Sequence, residues 1–472
     1  MLYDLNFLRK GADFPPRSEV RRLNAYRVNQ MLMDDEAWSV LPEYKNRVLY
    51  LLSNFSLENP NAYLYSANYW LDIVNKVQEL TYGDPPDITT ESGGEEISKI
   101  LEQTELIEKA KEGVADFVGL GDWVTKTIET NGGYDFINVD PSTWFPIVSR
   151  ENVKDIKMHV LAWIAPVGEN KFEIHVQIHE KGKYTNRAFA VKSYNPDSYY
   201  IVQATKEKVM CPTYELGEEL DESRTDFVLG EFNTGLDDFA VVTSANNAST
   251  RKVYGNSDFD RVTDAIMEYC VRTTLKNVVL DKHSAPKLSG PPLHGDTNLG
   301  NYIEVEAGEA TPNYLVWDAS MQSVNTTIDG LKDDIANLSG LGSLLNSKTF
   351  GESQGYDALM IKLAPALMRS AGKKVILAKH LKKLISLLSV KFGKKIEDKA
   401  ISVSWHDGIP TTESVRADIA QKHLSTGWSS KNVLIRDYGW TEEAAEQNVE
   451  EKRMESPAIP AYGFNEGGED IG

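Results

Sequence analysis

Six apolar residues, Met321, Val324, Ile328, Leu331, Ile335 and Leu338, recur at intervals of 3, 4, 3, 4 and 3. That spacing keeps a narrow stripe on one side of a helix. It predicts a helix over 320–340 that packs on one or two partner helices rather than sinking into a broad core. Asp329, Lys332, Asp333 and Asp334 occupy its other faces, and Ser339-Gly340-Leu341-Gly342 stops it. The stripe alone leaves its partner open. A two-helix hairpin within the chain satisfies it, and so do copies of the chain arranged around an axis.

The rest of the chain reads as alternating helical and strand-like blocks. Helices are expected at 17–36, at 60–80 (Tyr63, Ala67, Trp70, Leu71, Val74, Val77) and at 95–120, ending at Gly119-Leu120-Gly121. From Trp123 to about Val202 the period is two, with turns expected at Asn131-Gly132-Gly133, Asn186 and Asn195-Pro196-Asp197. Within it Phe172, Ile174, Val176 and Ile178 alternate with Glu173, His175, Gln177 and His179, which predicts a half-buried strand with a solvated polar face. His175 and His179 are too far apart along a strand, roughly 13 Å at ~3.3 Å per residue, to share a metal ion.

Residues 257–283 return to helix, with Ser257 as its expected cap. Two strand-like pieces follow, Tyr302–Glu306 and Tyr314–Trp317. A Gly/Ser/Asn loop reaches about Gly355, and a long helix with Pro365 and Gly372 inside it runs from Tyr356 to about Phe392. A strand at Ala400–Trp405 and two helices, at 411–425 and 429–453, are expected beyond it. The Pro-, Gly- and acid-rich tail from Ser456 reads as disordered.

Composition narrows the function. The net charge of −20 argues against a tight electrostatic grip on nucleic acid, so a DNA partner would be guided rather than held. Two cysteines, Cys211 and Cys270, form no metal or disulfide framework and fit a reducing cytoplasm. No signal peptide is evident and no apolar run approaches the ~20 residues that span a bilayer, so no membrane partner is expected. No cofactor or metal is implied. The sequence lacks GxxxxGK[ST] and HExxH. A hydrolase with paired carboxylates is the enzymatic alternative, but Asp237-Asp238, Asp333-Asp334 and Glu442-Glu443 are adjacent pairs that point in different directions.

Several segments, taken in order from about residue 60 to 450, resemble the portal proteins of tailed phages, of the siphophage type. They are Asn68-Tyr-Trp-Leu-Asp-Ile-Val-Asn-Lys-Val with Tyr82-Gly-Asp-Pro, and Asn138-Val-Asp-Pro-Ser-Thr-Trp-Phe-Pro-Ile-Val. Then come Ser257-Asp-Phe-Asp, Asp281-Lys-His-Ser-Ala-Pro-Lys-Leu-Ser-Gly-Pro-Pro, the striped helix, and Phe350-Gly-Glu. Ile401-Ser-Val-Ser-Trp-His-Asp-Gly-Ile-Pro, Gly427-Trp-Ser-Ser and Tyr438-Gly-Trp-Thr-Glu-Glu-Ala complete the series. One departure stands out: the long helix opens with Gly355-Tyr-Asp-Ala-Leu where many relatives carry Ser-Gly followed by a small residue, Ala and Leu.

The resemblance implies an α+β portal fold. Its wing would be residues 1–255, its stem helices 256–284 and 320–340, its clip 285–319 and its tunnel loop 341–355. Residues 356–408 would return to the wing as a long helix and strand, 409–455 would form the crown, and 456–472 a tail. It implies a structural protein without catalytic residues, a self-assembled ring, twelve-fold in mature heads, at one capsid vertex. Double-stranded DNA would pass through it without sequence specificity. Large terminase, a head-tail adaptor, and major capsid and scaffolding proteins would be its partners, in the virion and in the host cytoplasm during assembly. Another head protein, of the minor or adaptor kind, is the nearest alternative.

In that frame the six striped residues pack the stem, and Gly340, Gly342 and Gly355 hinge the loop. His294, Asp296 and Trp317 face terminase or adaptor. Asn346, Ser347 and Lys348 of the loop, with Lys373, Lys379 and Lys383 of the long helix, are the candidate contacts to passing DNA. A plain solvated helix face accounts for the helix lysines equally well.

Overall fold

The computed structural model describes residues 1–55, 57–90, 93–130, 133–169, 171–196, 198–201, 208–284, 288–290, 302–306, 318–345, 356–406, 413–438 and 442–455. It is a mixed helix-and-sheet protein, 50% helical and 23% strand, compatible with the α+β class. The chain forms two compact units, Met1–Gly408 and Ile409–Gly472.

The N-terminal part of the first unit is helical because apolar residues recur at helical spacing. A short strand β1 (Asp13–Phe14) leads to α1 (Val20–Met33), α2 (Ala37–Val40), α3 (Pro42–Leu52) and α4 (Tyr69–Tyr82). Asn68 caps α4, its side-chain oxygen accepting from the Leu71 N–H at 3.0 Å. Trp70, Ile73, Val74 and Val77 make the buried stripe of that helix, and burying each stabilises by roughly 1.5–3 kcal/mol. Leu71, expected in the stripe, is 41% exposed.

Strand β2 (Asp87–Thr90) is followed by α5 (Gly94–Gln103) and α6 (Leu106–Gly119). The single helix expected at 95–120 is thus two, divided where Glu105 takes a left-handed φ of 48°. Helix α6 ends as expected: Gly121, at φ +100°, donates its N–H to the Asp116 carbonyl. Helix α3 was not anticipated. Pro42 starts it, and Val48 and Leu52 bury into a cluster with Val271 and Val278.

The strands come next: β3 (Asp122–Thr130), β4 (Gly133–Val139), β5 (Trp144–Val148), β6 (Ile156–Gly168), β7 (Lys171–Glu180) and β8 (Lys183–Asn195). Then follow β9 (Tyr199–Ile201), β10 (Lys208–Met210), β11 (Thr213–Glu219), β12 (Gly230–Asn233) and β13 (Val241–Ala245). Seven make one sheet in the order β1-β11-β8-β7-β6-β5, with β12 also on β8; β13-β3-β4 form a second sheet.

Asn186 is not a turn. It sits in β8 opposite Gln177, and the reversal is at Lys181-Gly182. The polar face of β7 is not solvated either. His179 and Glu173 are buried, because residues 225–240 fold over them: Thr225 donates to the Glu173 carboxylate at 2.7 Å and Phe227 stacks on His175 at 4.3 Å.

The remaining elements of this unit are α7 (Thr263–Ser284), β14 (Leu288–Gly290), β15 (Tyr302–Glu304), α8 (Asp318–Ser339), α9 (Tyr356–Lys391) and β16 (Ile401–Ser404). Strands β14 and β15 pair in parallel, and β16 pairs with β2. The expected strand at 314–317 lies outside the described residues. Helices α4 to α9 share the largest core, around Trp70, Phe117, Trp123, Phe259, Ile335 and Leu381.

The second unit has three helices where two were expected, α10 (Glu413–Ser425), α11 (Ser430–Tyr438) and α12 (Glu442–Glu455). The tail from Ser456 is outside the described residues.

Candidate functional site

Helices α7 and α8 pack on each other and flank the segment 285–317. On α8, Ile328 and Ile335 are buried and Val324 and Leu331 half-buried. Leu338 departs from the stripe: it is 45% exposed, and its neighbour Ser339 is fully buried in its place. A straight helix turns 3.6 residues per turn and drifts by about 20° per heptad against a strict 3.5 repeat, which carries the buried line from position 338 to 339. The side chain of Met321 lies outside the described residues.

Both helices are tied to α9 by one buried ion cluster. Asp258, just ahead of α7, is 2% exposed, and its carboxylate lies 2.9 Å from Lys373 and 3.0 Å from Arg369, both on α9. The amides of Asn246 and Asn247 donate to it at 3.0 and 2.8 Å. Burial alone would raise this carboxyl, but the two cations hold it below its usual range. The backbone here is anchored too: the Phe259 N–H donates to Ser257 Oγ and the Asp258 N–H to the Val118 carbonyl. Ser257 is therefore not the cap of the α-helix: it accepts from the first residue of a short 3-10 turn, Phe259–Arg261, that precedes α7.

The exit of α8 closes against the same cluster. Gly340 has φ +70°, and a Cβ there would stand 2.7 Å from Arg369 Cδ. Gly342, at φ +51°, has open space around it. Gly340→Ala is therefore expected to destabilise the fold by about 2 kcal/mol and Gly342→Ala by about 1 kcal/mol in urea unfolding, since each takes the left-handed penalty and only the first also displaces Arg369. Equal costs would mean that Arg369 does not seat under Gly340.

The lysines of α9 separate. Lys373 is 4% exposed and donates to Asn246 Oδ1 at 2.7 Å, so the expectation that it faces DNA is corrected: its charge is spent on Asp258. Lys383 is half exposed and ion-paired with Asp238. Lys379 is exposed and shares a groove with Lys382 and Lys399 around Val375, Ala378 and Trp405. Asn346, Ser347, Lys348, Gly355, His294, Asp296 and Trp317 lie outside the described residues.

Two features escaped the sequence reading. One is His380, stacked 3.7 Å from Trp123 and hydrogen-bonded to the hydroxyls of Thr125 and Ser244, which pins α9 to the small sheet. The other is an unpartnered apolar line on the outside of α9: Ile361, Met368 and Val375, each above 70% exposed and seven residues apart. Small residues, Ala364, Ala371 and Ala378, each follow three positions after one of them.

Among the described residues no three His, Cys, Asp or Glu side chains converge on a metal position, and no helix is long and apolar enough to cross a membrane. Neither a protein-family model nor a curated protein matches the chain.

Proposed function

We propose that this chain is the portal protein of a tailed phage, a ring subunit at one capsid vertex through which double-stranded DNA is packaged and ejected. The observation that carries the reading is the order α7, inserted segment, α8, glycine exit, α9. Two 22-residue helices that pack together, separated by residues 285–317 and followed by a 36-residue helix, support the reading, because the resemblance implies that order for a stem helix, the clip, a second stem helix and a long helix returning to the wing. The apolar line on α9 and the exposed Leu338 supply surface that a neighbouring subunit in a ring would cover.

In this reading the net charge of −20 per subunit serves transport. Acidic walls offer phosphates no deep well, so DNA slides with little friction. Lys379 and Lys348 remain as weak phosphate contacts, and Lys383 is tempered by Asp238. Terminase and then the adaptor would dock on the inserted segment, and capsid and scaffolding proteins on the outer wall.

Electron microscopy of the purified protein tests this. Rings with a central hole are expected. The double variant Met368→Glu/Val375→Glu is expected to stay folded, because exposed positions away from special features change stability by only about 0.5 kcal/mol, yet to stop forming rings. A chain that remains monomeric both alone and when co-expressed with scaffolding and capsid proteins refutes the reading.

A further inference from the structure

A partly open cavity of about 290 Å³ lies where the β3–β4 hairpin, β7, β8, β12 and the end of α9 meet. One wall is a stack of three rings: His179 on Tyr184 at 5.3 Å, and Tyr184 on Phe232 at 5.0 Å. Two cations line it. Lys126 donates to Gln177 Oε1 at 2.9 Å, and the Lys391 ammonium stands 4.6 Å over the Tyr134 ring. Among the described residues no carboxylate pairs with either lysine, although Glu129 contributes one acid to the lining.

His179 marks the cavity as a built site. It is 2% exposed, yet neither ring nitrogen has a hydrogen-bond partner. Burial, and then the charge of Lys126, hold it neutral, with its pKa lowered to about 3. A neutral imidazole carries one N–H donor and one lone-pair acceptor, and leaving both unmet in the interior costs stability. Replacing the ring by an aliphatic side chain would fill the same sheet position without the penalty.

We infer that this cavity binds a small organic anion carrying one flat, hydrogen-bonding ring. The anion meets Lys126 and Lys391, the ring stacks beside Tyr184, and the polar edge of the ring satisfies His179. The volume sits at the lower end for small-molecule sites, which suits a single ring with one acid group. A heteroaromatic carboxylate and a pyrimidine mononucleotide share that chemistry. The inference is independent of the ring-forming role, since the cavity lies within one subunit.

Calorimetric titration of the full chain with orotate, thymidine 5′-monophosphate, benzoate and inorganic phosphate decides it. Orotate or the nucleotide is expected to bind. Benzoate, which lacks the polar edge, and phosphate, which lacks the ring, are expected to bind about tenfold more weakly or not at all. Which of the first two wins tells carboxylate from nucleotide. His179→Phe keeps the ring and removes both nitrogens, and it should weaken binding by about tenfold. Lys391→Met should do the same, and it decides the matter if His179→Phe fails to fold. The inference falls if neither ring acid binds more tightly than phosphate, or if Lys391→Met and a folded His179→Phe bind as well as the unaltered chain.

Discussion

Between pH 7 and pH 5 the fold is expected to lose on the order of 4 kcal/mol of stability, a large share of what holds a domain together. Three histidines cause it. Burial pushes His159 down to about 4 and His179 and His380 to about 3. The unfolded chain takes up a proton on each near pH 6.5 while the folded one refuses it. Stability is therefore intact above pH 6.5 and is lost as the pH falls toward 3–4, at about 1.4 kcal/mol per unit for each group.

From pH 6.5 to 5 that is roughly 2 kcal/mol per histidine and roughly 6 kcal/mol for the three. Asp116 works the other way. Burial, with Asp140 and Glu112 nearby, pushes its carboxyl up to about 7, so the folded state binds its proton first and regains about 2 kcal/mol over the same range. Urea unfolding at pH 7, 6 and 5 measures the net loss. His179→Phe should remove about a third of the histidine contribution. A stability that is flat across this range would show that these imidazoles are not buried and neutral in the folded protein.

The structure explains why some residues were legible and others were not. Trp70, Val74 and Val77 announce α4 because a helix exposed on one side must repeat its apolar residues every three or four positions. Leu338 misled because a strict heptad and a straight helix part company after two turns. The polar face of β7 misled for another reason: alternation reports that one face is buried, not that the other is open, and residues 225–240 cover it from 45 positions or more downstream.

Lys373 was misread although its signal was present. Leu363, Ala366, Ser370, Lys373, Leu377, His380 and Leu384 follow one another at intervals of three or four and are all buried. A lysine on that line must be inside. Its charge then needs an acid, and nothing local supplies one: Asp258 is 115 residues away. Partners at that separation come from topology, which periodicity does not encode.

The second large effect follows from that pair. Asp258→Asn is expected to cost about 3–5 kcal/mol, because it leaves Lys373 buried without its counter-charge and takes from Arg369 the carboxylate at 3.0 Å. Lys373→Met should cost less, since Asp258 keeps Arg369 at 3.0 Å and both asparagine amides. Combining the two replacements should cost clearly less than the sum of the singles, a coupling of more than about 1 kcal/mol.

Urea unfolding of the four proteins at pH 7 gives that coupling. Additive costs would mean that the ammonium and the carboxylate do not meet. Asp258 lies below its usual pKa, so its share of the stability is present above about pH 4 and fades only as the pH falls through its folded value. The histidines differ in onset: they begin to cost stability at about pH 6.5, well above the range in which Asp258 titrates. Because the cluster ties α7, the exit of α8 and α9 at one point, the same variant should also loosen Gly340. Amide exchange at Leu341 should then accelerate in Asp258→Asn, while exchange in the distant β6–β7 pair changes far less.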